Sequence, residues 1–162
     1  MDAYKNARSR IGKGYFSQKP AGCRVAPAGY GPAMLKTKSV HSPIEPGDGL
    51  RLLVARFRGR GLPVDRYDVW MANLGPSERL LKSVLAGKIT WKEFSKRYRE
   101  ELFAPAATDA ANATIKNHGQ KFTLRLVAKL AEKENVTLLC HCAEDATQCH
   151  RFLLQKLIDQ ET

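Results

Sequence analysis

The chain has 162 residues, 27 basic against 16 acidic, and a net charge of +11. A single domain of that size buries roughly two-thirds of its unfolded surface. Hydrophobic residues at 43% and charged residues at 27% argue against a largely disordered chain. No window of about 18 apolar residues is present to span a membrane, and no apolar core follows the basic N-terminus to make a secretory leader. Composition therefore points to a soluble, basic, cytoplasmic protein.

The charge is unevenly placed. Residues 1–60 hold 12 basic and 3 acidic residues, a net +9, whereas residues 61–162 hold 15 and 13, a net +2. Residues 1–33 are rich in Gly and Pro and show no sustained apolar period, which reads as an N-terminal extension ahead of a domain over 34–162. Its cations lie among Tyr4, Tyr15 and Phe16, a composition able to hold nucleic acid by charge and stacking. The plainer reading is a solvated extension that binds nothing.

The segment Leu35–Val40 alternates weakly and is a candidate strand, followed by breakers at Pro43, Pro46, Gly47 and Gly49. Leu50–Phe57 is the strongest early strand, with the unbroken run Leu52–Ala55 expected of a strand covered on both faces. Tyr67–Ala72 is a short apolar run of ambiguous type, and Trp70 within it reads as core, as does Trp91.

Pro76 suits a first helical turn, with Ser77 as its cap; Leu80, Leu81, Val84 and Leu85 recur at helical spacing before Gly87. Thr90 and Glu93 have capping-box spacing, and Trp91, Phe94, Tyr98 and Leu102 share a helical face. Residues 104–118 read as loop or weak helix. A helix is expected from His118 to Asn135, with Phe122, Leu126, Val127 and Leu130 inward and Lys121, Arg125, Lys129 and Lys133 outward. Val136–Cys142 reads as a buried strand, and Leu153, Leu154, Leu157 and Ile158 mark a closing helix from about Gln148. This order predicts one α/β domain: a small, open, mostly parallel sheet with helices on both faces.

The chemistry is concentrated in Leu139–Arg151, LCHCAEDATQCHR, which holds three of the four cysteines and two of the four histidines. Such density in a cytosolic setting favours thiol or metal chemistry over disulfides. The segment runs from the C-terminal end of a predicted parallel strand into a helix start, where α/β sheets bind ligands and free N–H groups favour anions. Cys142 and Cys149 are the candidate reactive thiols, aided by His150, with Arg151 and the loop amides for a phosphate- or carboxylate-bearing ligand. The spacing disfavours a tyrosine-phosphatase loop, because Cys-x5-Arg does not occur: Arg151 lies nine positions after Cys142.

That reading needs no cofactor. The alternative is a zinc site of Cys140, Cys142, Cys149 and either His141 or His150, and a third reading packs Cys140 in the strand as a small hydrophobe. If the strands ending at Arg56 and Cys142 are parallel neighbours, Arg56, Cys149 and Arg151 converge on one sheet edge and invite a small anionic ligand. The opposing expectation is a closed loop in which Glu144 and Asp145 pair with those arginines.

The segment LLCHCAEDATQCHRFLL resembles the strand–loop–helix signature ending in Cys-His-Arg of domain-of-unknown-function family 488 (DUF488, the YeaO-like proteins). Gly49–Arg56 resembles the family's early strand, Leu74-Gly-Pro-Ser77 its Pro-Ser turn, and Trp91–Phe94 with Tyr98–Leu102 its central helix. The likeness covers about residues 34–160. It departs at Ala55, where the family's strand often carries Asp before Arg, and it joins a cysteine-bearing end to the middle of a group that lacks those cysteines. The resemblance implies a compact α/β fold and leaves the reaction to the site.

Overall fold

A computed structural model of the chain describes residues 34–107, 114 and 119–161. The basic arm and His118 lie outside the described residues. Four strands form one parallel sheet: β1 (Leu35–Ser39), β2 (Leu50–Leu53), β3 (Val69–Trp70) and β4 (Val136–Cys140), in the spatial order β1-β4-β2-β3. Among the described residues four α-helices follow or separate them: α1 (Glu78–Leu85), α2 (Trp91–Phe103), α3 (Lys121–Ala131) and α4 (His150–Asp159).

β4 is the centre of the sheet. All five of its residues are buried: four are apolar, and Thr137 donates its hydroxyl to the Asp48 carbonyl at 2.6 Å. Register pairs Ser39 with Cys140 and Leu53 with Leu139, so the C-terminal ends of β1, β4 and β2 finish level with one another. Gly49 sets this register: its φ is +62°, and a Cβ there would lie 1.9 Å from the Asn135 carbonyl oxygen. The Leu50 N–H then donates to that same oxygen at 2.8 Å, which starts the β2–β4 ladder.

The expected parallel α/β sheet is present, with a difference in how its faces are covered. Leu52, Val136 and Leu138 pack with Leu80, Phe94, Tyr98, Leu124, Val127 and Leu154, so all four described helices serve one face. On the other face Leu53, Leu139 and Val40 pack with Ala55, Leu62 and Tyr67 from the loop after β2. A loop covers that face because its N-terminal half is polar: Arg51 pairs with Asp68, and Lys38 with Asp48.

Three expectations are corrected. β2 ends at Leu53, not Phe57, because the next two carbonyls are taken by side chains: His150 holds Val54 and Trp70 holds Ala55. Trp70 is not core; it lies exposed on the edge strand β3 while its indole N–H donates to Ala55 at 2.9 Å. In α3 the inward face is Leu124, Val127 and Ala128, whereas Phe122 and Leu126 are 54% and 60% exposed. The capping residues behave as expected at Ser77, which accepts from the Leu80 amide, and at Thr90, which accepts from the Glu93 amide. Glu93 itself turns to Arg97.

Candidate functional site

Two local features build the site. β4 ends at Cys140, and α4 begins at His150 with Cys149 in extended backbone as its N-cap. Alternation along the strand places Cys140 and Cys142 on the helix-covered side and sends His141 to the other. The Cys140 and Cys142 sulfurs lie 3.6 Å apart. His150 Nδ1 lies 3.8 Å from the Cys140 sulfur, and the Cys140, Cys149 and His150 donor atoms all fall within 4.8 Å of one another. Cys140, Cys149 and His150 are buried; Cys142 is half-buried.

The protonation pattern follows from these contacts. His150 Nε2 lies 2.9 Å from the Val54 carbonyl oxygen, which only accepts, so Nε2 carries the proton and Nδ1 turns its lone pair to the sulfurs. Burial lowers the His150 pKa and keeps the ring neutral. Thiol hydrogen bonds link the three cysteines. Cys140 and Cys149 donate to Cys142 and lower its pKa against the effect of burial, with the Arg151 charge adding to the shift. Cys140 is raised by the same bonds to Cys142 and Cys149 and by burial. The Cys149 thiol is pulled down by Cys140 but raised by Cys142 and by burial, to about 11. The cluster thus favours one thiolate, on its most accessible sulfur.

Arg151 is 0% exposed. Its guanidinium donates to the carbonyl oxygens of Cys142, Ala143 and Glu144 at 3.2, 3.0 and 3.1 Å and so folds the cysteine loop around itself. Arg56 donates to Gly75 and Pro76, fixing the turn before α1. The two arginines therefore hold different backbone turns at the same sheet edge. Glu144 turns its carboxylate to the Ser39 N–H and the Ser42 hydroxyl, and those bonds outweigh burial to lower its pKa.

A family model described as "Active DUF488-N3 subclade" matches residues 35–162, which takes in every strand, helix and site residue above. The chain belongs to the DUF488 family. This DUF488 protein is 29% identical over 122 residues to the uncharacterized protein YeaO of Escherichia coli, covering 74% of this chain and 92% of YeaO. It is 33% identical over 75 residues to the uncharacterized proteins Mb3100c of Mycobacterium bovis and Rv3073c of Mycobacterium tuberculosis, covering 45% of this chain and 64% of each relative. No solved structure matches the chain.

Around the sulfurs, the DUF488 domain adds groups that the sequence did not flag. Tyr98 of α2 donates its hydroxyl to Leu74 and sets its ring edge-on to His150, with centroids 5.7 Å apart. On the opposite side of β4, His141 lies between the Phe57 carbonyl at 3.1 Å and His41 Nε2 at 3.4 Å. His41 carries no sequence pattern of its own; only the level ends of β1 and β4 bring the two rings together.

Proposed function

We propose that this DUF488 protein carries out thiol chemistry on a small phosphate- or carboxylate-bearing ligand, with Cys142 as the reacting group, in a reducing cytoplasm. The observation that carries this reading is the contrast within one cluster: Cys140 and Cys149 are buried, while Cys142, 3.6 Å from Cys140, keeps access to solvent. Cys140, Cys149 and His150 form its inner wall. The site lies at the C-terminal edge of a parallel sheet and at a helix start, a position that favours anions. The buried charge of Arg151 and the dipole of α4 act in the same direction. Arg56 adds positive charge at that edge. In this reading the arginines act through their field and through the turns they hold. The family model's description as an active subclade is consistent with a reactive site.

The test compares a neutral and an anionic electrophile on the full chain under chelation and reduction. Cys142 should be alkylated by iodoacetate, relative to iodoacetamide, several-fold more readily than glutathione is, and inorganic phosphate should slow the reaction. Labelling that shows only the glutathione preference, or that misses Cys142, contradicts the proposal.

A further inference from the structure

We infer that Cys140, Cys149 and His150 form a binding site for a thiophilic divalent metal ion of the zinc class, with Cys142 as its half-exposed fourth ligand. This goes beyond the thiol reading but shares its sulfurs, so the test is built to separate the two.

Four observations carry it. The donor atoms of Cys140, Cys149 and His150 are already mutually within 4.8 Å, and the Cys142 sulfur is 3.6 Å from Cys140. Ligands of one small tetrahedral ion must approach one another this closely, so little rearrangement separates the cluster from a coordination shell. The donors are three sulfurs and an imidazole, a set that suits zinc and not calcium or magnesium.

The second observation is the orientation of His150. Its Nε2 is held by the Val54 carbonyl at 2.9 Å, leaving Nδ1 facing the sulfurs. Metal-bound histidines are held in this way: the remote N–H is anchored to a carbonyl, which fixes the tautomer and turns the lone pair to the ion.

The third is charge. Three thiolates, a neutral imidazole and a divalent ion sum to a single negative charge, which a buried site must offset. Arg151 follows His150 directly, is fully buried, and hydrogen-bonds only carbonyl oxygens among the described residues; its Nε has no acceptor there. Its positive charge is the complement of the loaded centre.

The fourth is access. Cys140, Cys149 and His150 are buried and Cys142 is not. Three buried ligands with one reachable position is the pattern of a metal site whose fourth ligand can exchange.

The experiment uses the full chain purified without chelator, with metal measured by mass spectrometry, and then the reduced apoprotein titrated with Co²⁺ as the spectroscopic probe. The expected result is one equivalent of zinc as isolated. Cobalt should give the intense visible bands of a tetrahedral ion together with thiolate charge transfer, all displaced by Zn²⁺. Cys140→Ser and Cys149→Ser should lose stoichiometric cobalt, whereas Cys142→Ser should keep it with weaker retention. Should those variants unfold, X-ray absorption on the wild-type zinc protein decides: sulfur scatterers at about 2.3 Å with one nitrogen at about 2.0 Å support the site. Zinc at well below one equivalent with no cobalt spectrum overturns it, even where Cys142 still takes iodoacetate. Tight metal binding with an unreactive Cys142 in the chelated protein overturns the thiol reading and leaves this one standing.

Discussion

The guanidinium of Arg151 donates through Nη1 to the carbonyl oxygen of Cys142 at 3.2 Å, so the first turn of α4 carries its charge directly beneath the cysteine loop. Nη2 reaches the next two carbonyls, of Ala143 and Glu144. One planar fork thereby holds three successive peptide units, and the loop that presents Cys142 is a shell around a buried cation.

Arg151→Lys should therefore be costly. An ammonium on a single stem cannot span the same carbonyls, and it leaves buried acceptors unpaired. The expected loss is about 3 kcal/mol in urea unfolding at constant m-value. A loss under about 0.5 kcal/mol, as at an ordinary surface site, shows that the fork is dispensable.

Gly49→Ala and Gly87→Ala test the role of Gly49 in the register. Both glycines have positive φ, +62° and +65°, so both substitutions carry a backbone penalty of about 1–2 kcal/mol or more; the Gly49 ψ of −136° lies outside the left-handed helical well and raises its share. Only Gly49 approaches backbone: its added Cβ would lie 1.9 Å from the Asn135 oxygen, whereas nothing lies within 4 Å at Gly87. Gly49→Ala should cost roughly 2 kcal/mol more than Gly87→Ala and weaken the β2–β4 pairing. Equal costs contradict the role given to Gly49 in setting the register.

The Arg51–Asp68 pair predicts an acid dependence. The Arg51 hydrogen bond, outweighing burial, holds Asp68 below its ordinary 3.8. A carboxylate with a depressed folded pKa leaves the unfolded chain to take up its proton first as pH falls. Its contribution is complete above the unfolded value and is lost as pH drops through the folded one. The stability gap between wild type and Asp68→Asn should be widest at neutral pH and close as pH falls through the depressed folded pKa, below the ordinary Asp value. A gap unchanged across that range means the pair adds nothing.

On α3, Leu124→Ala should cost about 2–5 kcal/mol because Leu124 is fully buried. Phe122→Ser and Leu126→Gln should each stay within about 0.5 kcal/mol. Thermal or urea melts of the three variants check this, and a large loss at Leu126 places the inward face on the wrong side.

The α3 result marks where the sequence stops being legible. Phe122 and Leu126 are more apolar than Ala128, so periodicity alone rotates the helix towards them, while the core takes in the small Ala128 instead. β4 was readable because a run buried on both faces has no charged member, and α1 because Ser77 caps it. The cysteine cluster was readable from the spacing in LCHCAEDATQCHR, since a strand end followed by a helix start folds that segment back on itself. The arginines were not. Arg56 and Arg151 were expected to face a shared opening, yet the donors described for each go to backbone carbonyls, which carry no sequence signature. The same holds for the Val54 carbonyl that orients His150 and for the His41–His141 contact.

The central claim is that Cys140, Cys142 and Cys149 form a single cluster, and a trivalent arsenical measures it most directly, because it is retained only where two sulfurs lie within bonding reach of one arsenic. Intact-mass analysis of the reduced, chelated full chain with phenylarsine oxide should show one adduct that survives excess monothiol and disappears when Cys140 and Cys149 are both changed to serine. No retained adduct on wild type, or an adduct unaffected by that double change, contradicts the account.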